Sequence, residues 1–171
     1  MPILFSSFPG WQKIADVSAS VLNFTDLDVT DLHLTAANNY MIIVTLNAAG
    51  GSTPNVSLFV NDVTDAGEYA SSVTKPVAGV QTLTGANNAV IIPLPDAVYT
   101  TFFGILTFRA DGYPVVIGSA FVNTGTAGES WFFTWHTCGE IENYTITKLT
   151  LHSDAADGLA MPARIQIFKT V

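Results

Sequence analysis

The apolar residues of this 171-residue chain come in short runs, and Gly, Pro, Asn or Asp closes each run before a long helix could form. No stretch holds a 3.6-residue apolar period over three turns without a breaker, the nearest being Thr25 to Ala37, where Val29, Leu32 and Ala36 could share a face. At most one or two short helices are expected. The runs are rich in Val, Ile, Thr, Phe and Tyr, which suit a pleated, half-buried surface. They predict strands near Gln12 to Phe24, Asn39 to Asn47, Asn55 to Asn61, Glu68 to Thr74, Asn88 to Leu94, Val98 to Arg109, Pro114 to Val122, Ser130 to Thr137, Tyr144 to His152 and Ala163 to Thr170. Turn chemistry separates them, and Asp111-Gly112 between two apolar runs is the strongest hairpin signal. The expected fold is all-β: a single-domain jelly-roll β-sandwich of about eight to ten antiparallel strands. Met1 to Trp11 reads as an N-terminal arm without a secretion signal, and residues 12 to 171 as the jelly-roll domain.

Several of these strands are apolar on both faces. Tyr40, Ile42, Val44 and Leu46 oppose Met41 and Ile43, while Phe102, Leu106 and Phe108 oppose Phe103 and Ile105. One sandwich core covers only one face of a strand, so the second face calls for an arm, a loop or another subunit. Composition agrees, with 49 % hydrophobic residues against 12 % charged. The longest clean apolar stretches, Tyr40 to Leu46 and Pro114 to Val122, fall short of the ~18 residues of a spanning helix. A net charge of -8, with six cations that never form a run, argues against direct nucleic-acid binding.

Sites for chemistry are sparse in this sequence. His152, Ser153 and Asp154 are the residue types of a hydrolase triad, but they are consecutive and no Gly-x-Ser-x-Gly elbow occurs. His136 and Cys138 share a strand face at ~6.5 Å spacing, too far for the hydrogen bond that activates a thiol. Acidic clusters at Asp26, Asp28 and Asp31, at Asp62, Asp65 and Glu68, and at Asp154 and Asp157 lack a calcium-loop spacing, leaving solvated turn acids as the simpler reading. No catalytic residue, cofactor or metal site is assigned. Cys138, the single cysteine, is a buried thiol, a reactive thiol or one half of an intermolecular pair. Alternation puts Trp131, Phe133 and Trp135 in a row on one face, as a core row, a subunit contact or a sugar-stacking platform.

The closing segments, Ile146 to Ser153, then a loop through Gly158, then Arg164 to Phe168, resemble the end of many bacteriophage virion jelly rolls. The whole chain is similar to single jelly-roll viral capsid proteins in size and strand count. Within them it looks most like the small major capsid protein of tailless, internal-membrane phages of thermophilic bacteria. That resemblance implies an icosahedral shell, self-association as a homodimer or higher oligomer, other capsid proteins as partners and a virion membrane nearby. It also implies synthesis in the host cytoplasm and residence in the virion. Trp11, Trp131, Phe133, Trp135 and Cys138 are then candidate assembly or ligand contacts, with Met1 to Trp11 and Lys169 to Val171 as segments that reach a neighbour. The competing expectation is a non-catalytic receptor- or carbohydrate-binding β-sandwich module of a phage.

Overall fold

The computed structural model describes residues 9–51, 53–77, 80–86, 90–93, 99–123, 128–137 and 145–171. Its strands are β1 (Trp11–Ser18), β2 (Asn23–Phe24), β3 (Asp26–Val29), β4 (Leu34–Thr35), β5 (Tyr40–Ala48), β6 (Asn55–Val60), β7 (Tyr69–Val77), β8 (Val80–Ala86), β9 (Val90–Pro93), β10 (Tyr99–Phe108), β11 (Pro114–Asn123), β12 (Gly128–Thr137), β13 (Thr145–Ile146), β14 (Leu149–Ser153) and β15 (Leu159–Thr170). One 3-10 turn, Ala66–Glu68, is the only helical element among the described residues. The chain is all-β, and the named strands pair antiparallel throughout.

The strand segments outnumber the eight to ten expected, because two of the expected runs are divided and because β3, β4 and β8 form where no strand was expected. Gln12 to Phe24 divides into β1 and β2, and the run from Tyr144 to His152 contains both β13 and β14. Thr25 to Ala37, the nearest approach to a helix in the sequence, contains β3 and β4 instead. Its Leu27 and Val29 alternate with Asp26 and Asp28, so a two-residue period buries the apolar pair and exposes the acids.

The strands form a large sheet in the order β1-β15-β5-β10-β11-β12-β7-β8, with β2 on β15, and a small sheet in the order β3-β14-β6-β9. A further short pair joins β13 and β4. The two main sheets pack as a sandwich around one core. Tyr40, Ile42, Val44 and Leu46 of β5, Phe102 and Leu106 of β10 and Ile165 and Ile167 of β15 face Leu27, Leu58, Leu149 and Leu151 of the small sheet. The Asp111-Gly112 hairpin joins β10 to β11 as the sequence predicts. Gly112 has φ +88°, and Arg109 N–H donates to the Tyr113 carbonyl at 2.9 Å.

Two aromatic side chains of the large sheet complete the hydrogen bonding of the small one. Strand β9 pairs with β6 along Asn55 to Ser57, and among the described residues no other strand pairs with that edge of β6 beyond this point. There Trp135 Nε1 donates to the Leu58 carbonyl at 3.1 Å, and the Tyr69 hydroxyl accepts from Val60 N–H at 3.1 Å while donating to the Val63 carbonyl at 2.6 Å. Burial pushes the Tyr69 phenol up to about 12, so it remains a neutral donor. Replacing Tyr69 with phenylalanine leaves a buried N–H and a carbonyl unpaired, and is expected to cost about 2 kcal/mol in urea unfolding. An unchanged unfolding midpoint would show that these groups find other partners.

Candidate interaction surface

Trp131, Phe133 and Trp135 do share one strand face, and that face is turned inward. All are buried in the sandwich core, where Phe133 stacks on Phe102 at 4.5 Å and Trp135 lies 5.4 Å from Tyr69. The row is therefore a core row, which corrects its candidacy as an exposed contact or sugar platform. Large rings fill the space between two sheets better than the alternating set of Ser130, Phe132 and Thr134, which is exposed.

Trp11 belongs to β1 and is half-buried, packed on the outer face of the large sheet against a small cluster of Met41, Ile43 and Phe168. The supposed arm thus ends in a strand that pairs with β15, Trp11 opposite Thr170. Lys169 and Thr170 are likewise strand residues and no free tail, since β15 is held between β1 and β5 almost to the end of the chain. Cys138 and the arm residues Met1 to Phe8 lie outside the described residues.

The outer faces of the two sheets differ in character. On the small sheet, Asp26 and Asp28 of β3 stand beside His152 and Thr150 of β14, with the Asp26 carboxylate 2.7 Å from His152 Nδ1. Lys148 bridges Asp28 at 2.9 Å and Asp62 at 2.7 Å, which raises its pKa above the usual lysine range. Burial pushes the Asp28 carboxyl up, but the Thr150 hydroxyl and the Lys148 ammonium outweigh it and leave the group below the usual carboxylate range. Asp154 accepts from the backbone and side-chain N–H groups of Asn55, and Asp65 accepts from Gly67 N–H. These acids of the sequence clusters are therefore engaged by donors of their own chain. This face is built for water.

The large sheet presents the opposite. Cross-strand pairing aligns Phe103 of β10, Ser119 of β11 and Phe132 of β12 in one outward row. Thr101, Phe121 and Ser130 form the row on one side of it, and Ile105, Ile117 and Thr134 the row on the other. None of these positions carries a charge. Phe103 is 42 % exposed, Ile117 57 %, Phe121 54 % and Phe132 58 %. They surround Ser119 on its four sides, two across the strands and two along β11, so a short polar side chain sits at the base of a ring of large apolar ones. Towards β5 the same face continues through Ile43 and Met41, which are buried beneath their neighbours.

Past β5, the pair formed by β15 and β1 carries a cluster of charge on this face. Arg164 grips Asp16 in two parallel bonds of 2.7 Å, and Lys13 and Gln166 also donate to the same carboxylate, at 2.6 and 3.2 Å. The Arg164 guanidinium beside Asp16 holds its carboxyl far below the usual range, against the opposing effect of burial. No family model, curated protein or solved structure matches this chain.

A pH dependence follows from the Asp16 cluster. The pKa is depressed in the folded state, so its stabilisation is complete above the unfolded value of about 3.9 and is lost as pH falls below it. Asp16→Asn is expected to destabilise the chain by about 1 kcal/mol at pH 7, since the pair is partly solvated, and by progressively less below pH ~4. Thermal melts of both forms between pH 7 and pH 2.5 check this. A gap between them that is constant with pH would show that Asp16 contributes through something other than its charge.

Sequence reasoning identified the two-faced strands, and of the readings it held open for Trp131, Phe133 and Trp135 the core row is the one their burial supports. Phe103 was among the second-face residues it named, while Ile117, Phe121 and Phe132 were not singled out. Their signal was the interleaving of Thr and Ser with apolar side chains along one face of each strand, against a mostly apolar row on the other.

Proposed function

We propose that this chain is a structural subunit of a virion shell, with a jelly-roll fold, and that it assembles through the uncharged outer face of its large sheet. The path of the chain supports the fold. It visits the small sheet at β3, the large at β5, the small at β6, the large at β7 and β8, the small at β9, the large at β10 to β12 and the small at β14. Counting these visits in order, with β10 to β12 taken together, the small sheet reads 1-8-3-6 and the large sheet 2-7-4-5. That order supports a jelly-roll reading, with two strands added at the seventh position and β15 and β1 added outside β5, an architecture used by capsid and lectin domains alike.

The observation that carries the assembly role is the exposed apolar face of β10 to β12. Exposed apolar patches on folded proteins mark contact with other protein or with ligand, and this one lies on the outer face of the large sheet. The edge of β1 supports contact by the face rather than by sheet extension. It is interrupted by a bulge at Ile14 and carries Lys13, two devices that discourage strand addition.

Density-gradient sedimentation of lysates from cells producing the chain tests this reading. The chain is expected to co-migrate with particles and to stay with them through a wash in about 1 M NaCl, because apolar contacts are not screened by salt. A chain that remains at the top of the gradient and binds glycans saturably, with binding lost in Phe121→Ser or Phe132→Ser, would replace the shell reading with a binding module.

A further inference from the structure

We propose that the apolar ring around Ser119 is the contact through which two copies of this chain pair face to face, a phenylalanine of each copy entering the depression over Ser119 of the other. The proposal rests on the shell reading above for its setting, but its evidence is the shape and charge of the ring. Ser119 has Phe103 and Phe132 beside it across the strands, and Ile117 and Phe121 on either side along β11. A small residue framed by four large ones is a hole of the kind that accepts one protruding side chain. The four framing residues are themselves protruding, each more than 40 % exposed. Knob and hole therefore lie within one patch, which is what a self-complementary two-fold contact requires: residue i of one copy meets j of the other, and j meets i.

Charge selects the occupant. The chain carries a net charge of -8, so two copies repel each other over most of their surfaces. The described acids of the small-sheet side, Asp26, Asp28 and Asp62 among them, would face their own kind in any contact made there. The outward positions of β10 to β12 carry none, so a second copy can approach there without bringing carboxylates together. A strongly basic or acidic partner would find nothing on this face to pair with.

The area is that of a small interface. Four strands, β10, β11, β12 and β7, at ~4.8 Å spacing and ~30 Å length present about 580 Å² in projection, near the lower end of the roughly 600 to 1,000 Å² per partner of a standard protein interface, while the outer face of β5 is covered by the chain itself. Two sheets packed through such faces lie ~10 Å apart, the spacing of a sandwich interior.

Sedimentation velocity of the full chain at micromolar concentration tests the proposal. The expected result is a dimer whose dissociation constant does not rise in about 1 M NaCl. Ser119→Glu sets a carboxylate at the base of each hole and is expected to give a monomer with an unchanged circular dichroism spectrum. Phe132→Ser, which shortens an already exposed side chain and so spares the fold, is expected to weaken the dimer at least about tenfold. Leu22→Ser, which removes an apolar side chain 74 % exposed elsewhere on the molecule, is expected to leave it intact. A wild-type chain that is monomeric at tens of micromolar overturns the proposal, as does a dimer indifferent to both Ser119→Glu and Phe132→Ser. Neither result bears on gradient co-migration with particles, so the pairing and the shell reading fail separately.

Discussion

Gly118→Ala is expected to cost about 3 kcal/mol or more of folding stability, a loss carried by one methyl group. Gly118 of β11 lies opposite Gly104 of β10 and Phe133 of β12, with all three on the inward face. A Cβ at position 118 would stand 2.2 Å from the Phe103 carbonyl oxygen and 2.7 Å from Gly104 Cα. These are backbone atoms of the neighbouring strand, and no rotamer change moves them. Either β10 and β11 separate or the methyl group is not accommodated. The glycine pair also makes room above it for the stacked rings of Phe102 and Phe133. Gly104→Ala is expected to be milder, at about 1 to 2 kcal/mol, because its new Cβ meets Val116 Cγ1 at 2.9 Å and Phe102 Cζ at 3.0 Å, both of which are side-chain atoms able to shift. Urea unfolding of the two variants gives the comparison. Equal losses at the two sites would mean that the β10 backbone yields as easily as a side chain.

Trp135→Ala is expected to cost about 4 kcal/mol, within the range for deleting a large buried aromatic. The indole is fully buried, lies against Tyr69 and donates to the Leu58 carbonyl across the sandwich. Its removal opens a cavity between the sheets and strips the buried Leu58 carbonyl of its donor. Trp135→Phe separates the two effects: most of the ring is retained while the Leu58 carbonyl stays unpaired, for an expected loss of about 2 kcal/mol. A phenylalanine variant as stable as the parent would remove the hydrogen bond from the account and leave only packing. The two variants together measure how far this aromatic row, rather than the small sheet's own pairing, holds the layers together.

Much of this architecture was legible in the sequence, since a two-residue period reports directly which side chains share a strand face. The sets Tyr40, Ile42, Val44 and Leu46 against Met41 and Ile43 lie on opposite faces of β5 as alternation requires, and the β10 to β11 turn falls at Asp111-Gly112. Which face turns inward was less legible wherever both were apolar. In β12 the choice is decided by the opposing sheet, whose unpaired Leu58 carbonyl takes the Trp135 donor, and that carbonyl is distant in sequence. Long-range pairing also hid the state of the chain's end. Lys169 and Thr170 look like a polar tail locally, but Tyr40 and Gln12 flank Lys169 on both sides in the sheet. The segment from Thr25 to Ala37 allowed a helical period by chance spacing of Val29, Leu32 and Ala36, and pairing of β3 with β14 overrode it.

The candidate surface was legible only as a requirement. Apolar second faces implied a cover, and the structure divides that requirement between two solutions. Around Met41, Ile43 and Phe168 the chain covers itself with Trp11 and Ile105. Around Ser119 it leaves Phe103, Ile117, Phe121 and Phe132 exposed. Sequence alternation alone does not distinguish these cases, because the cover at Met41 comes from β1 and β10, both distant in sequence from β5.

Isotope-dilution mass spectrometry of particles purified from cells that produce this chain gives its copy number per particle directly. The shell reading predicts on the order of hundreds of copies in a fixed ratio to the other shell proteins, as repeated symmetric contacts require. A chain absent from the particles, or present at a handful of copies that vary between preparations, would contradict it.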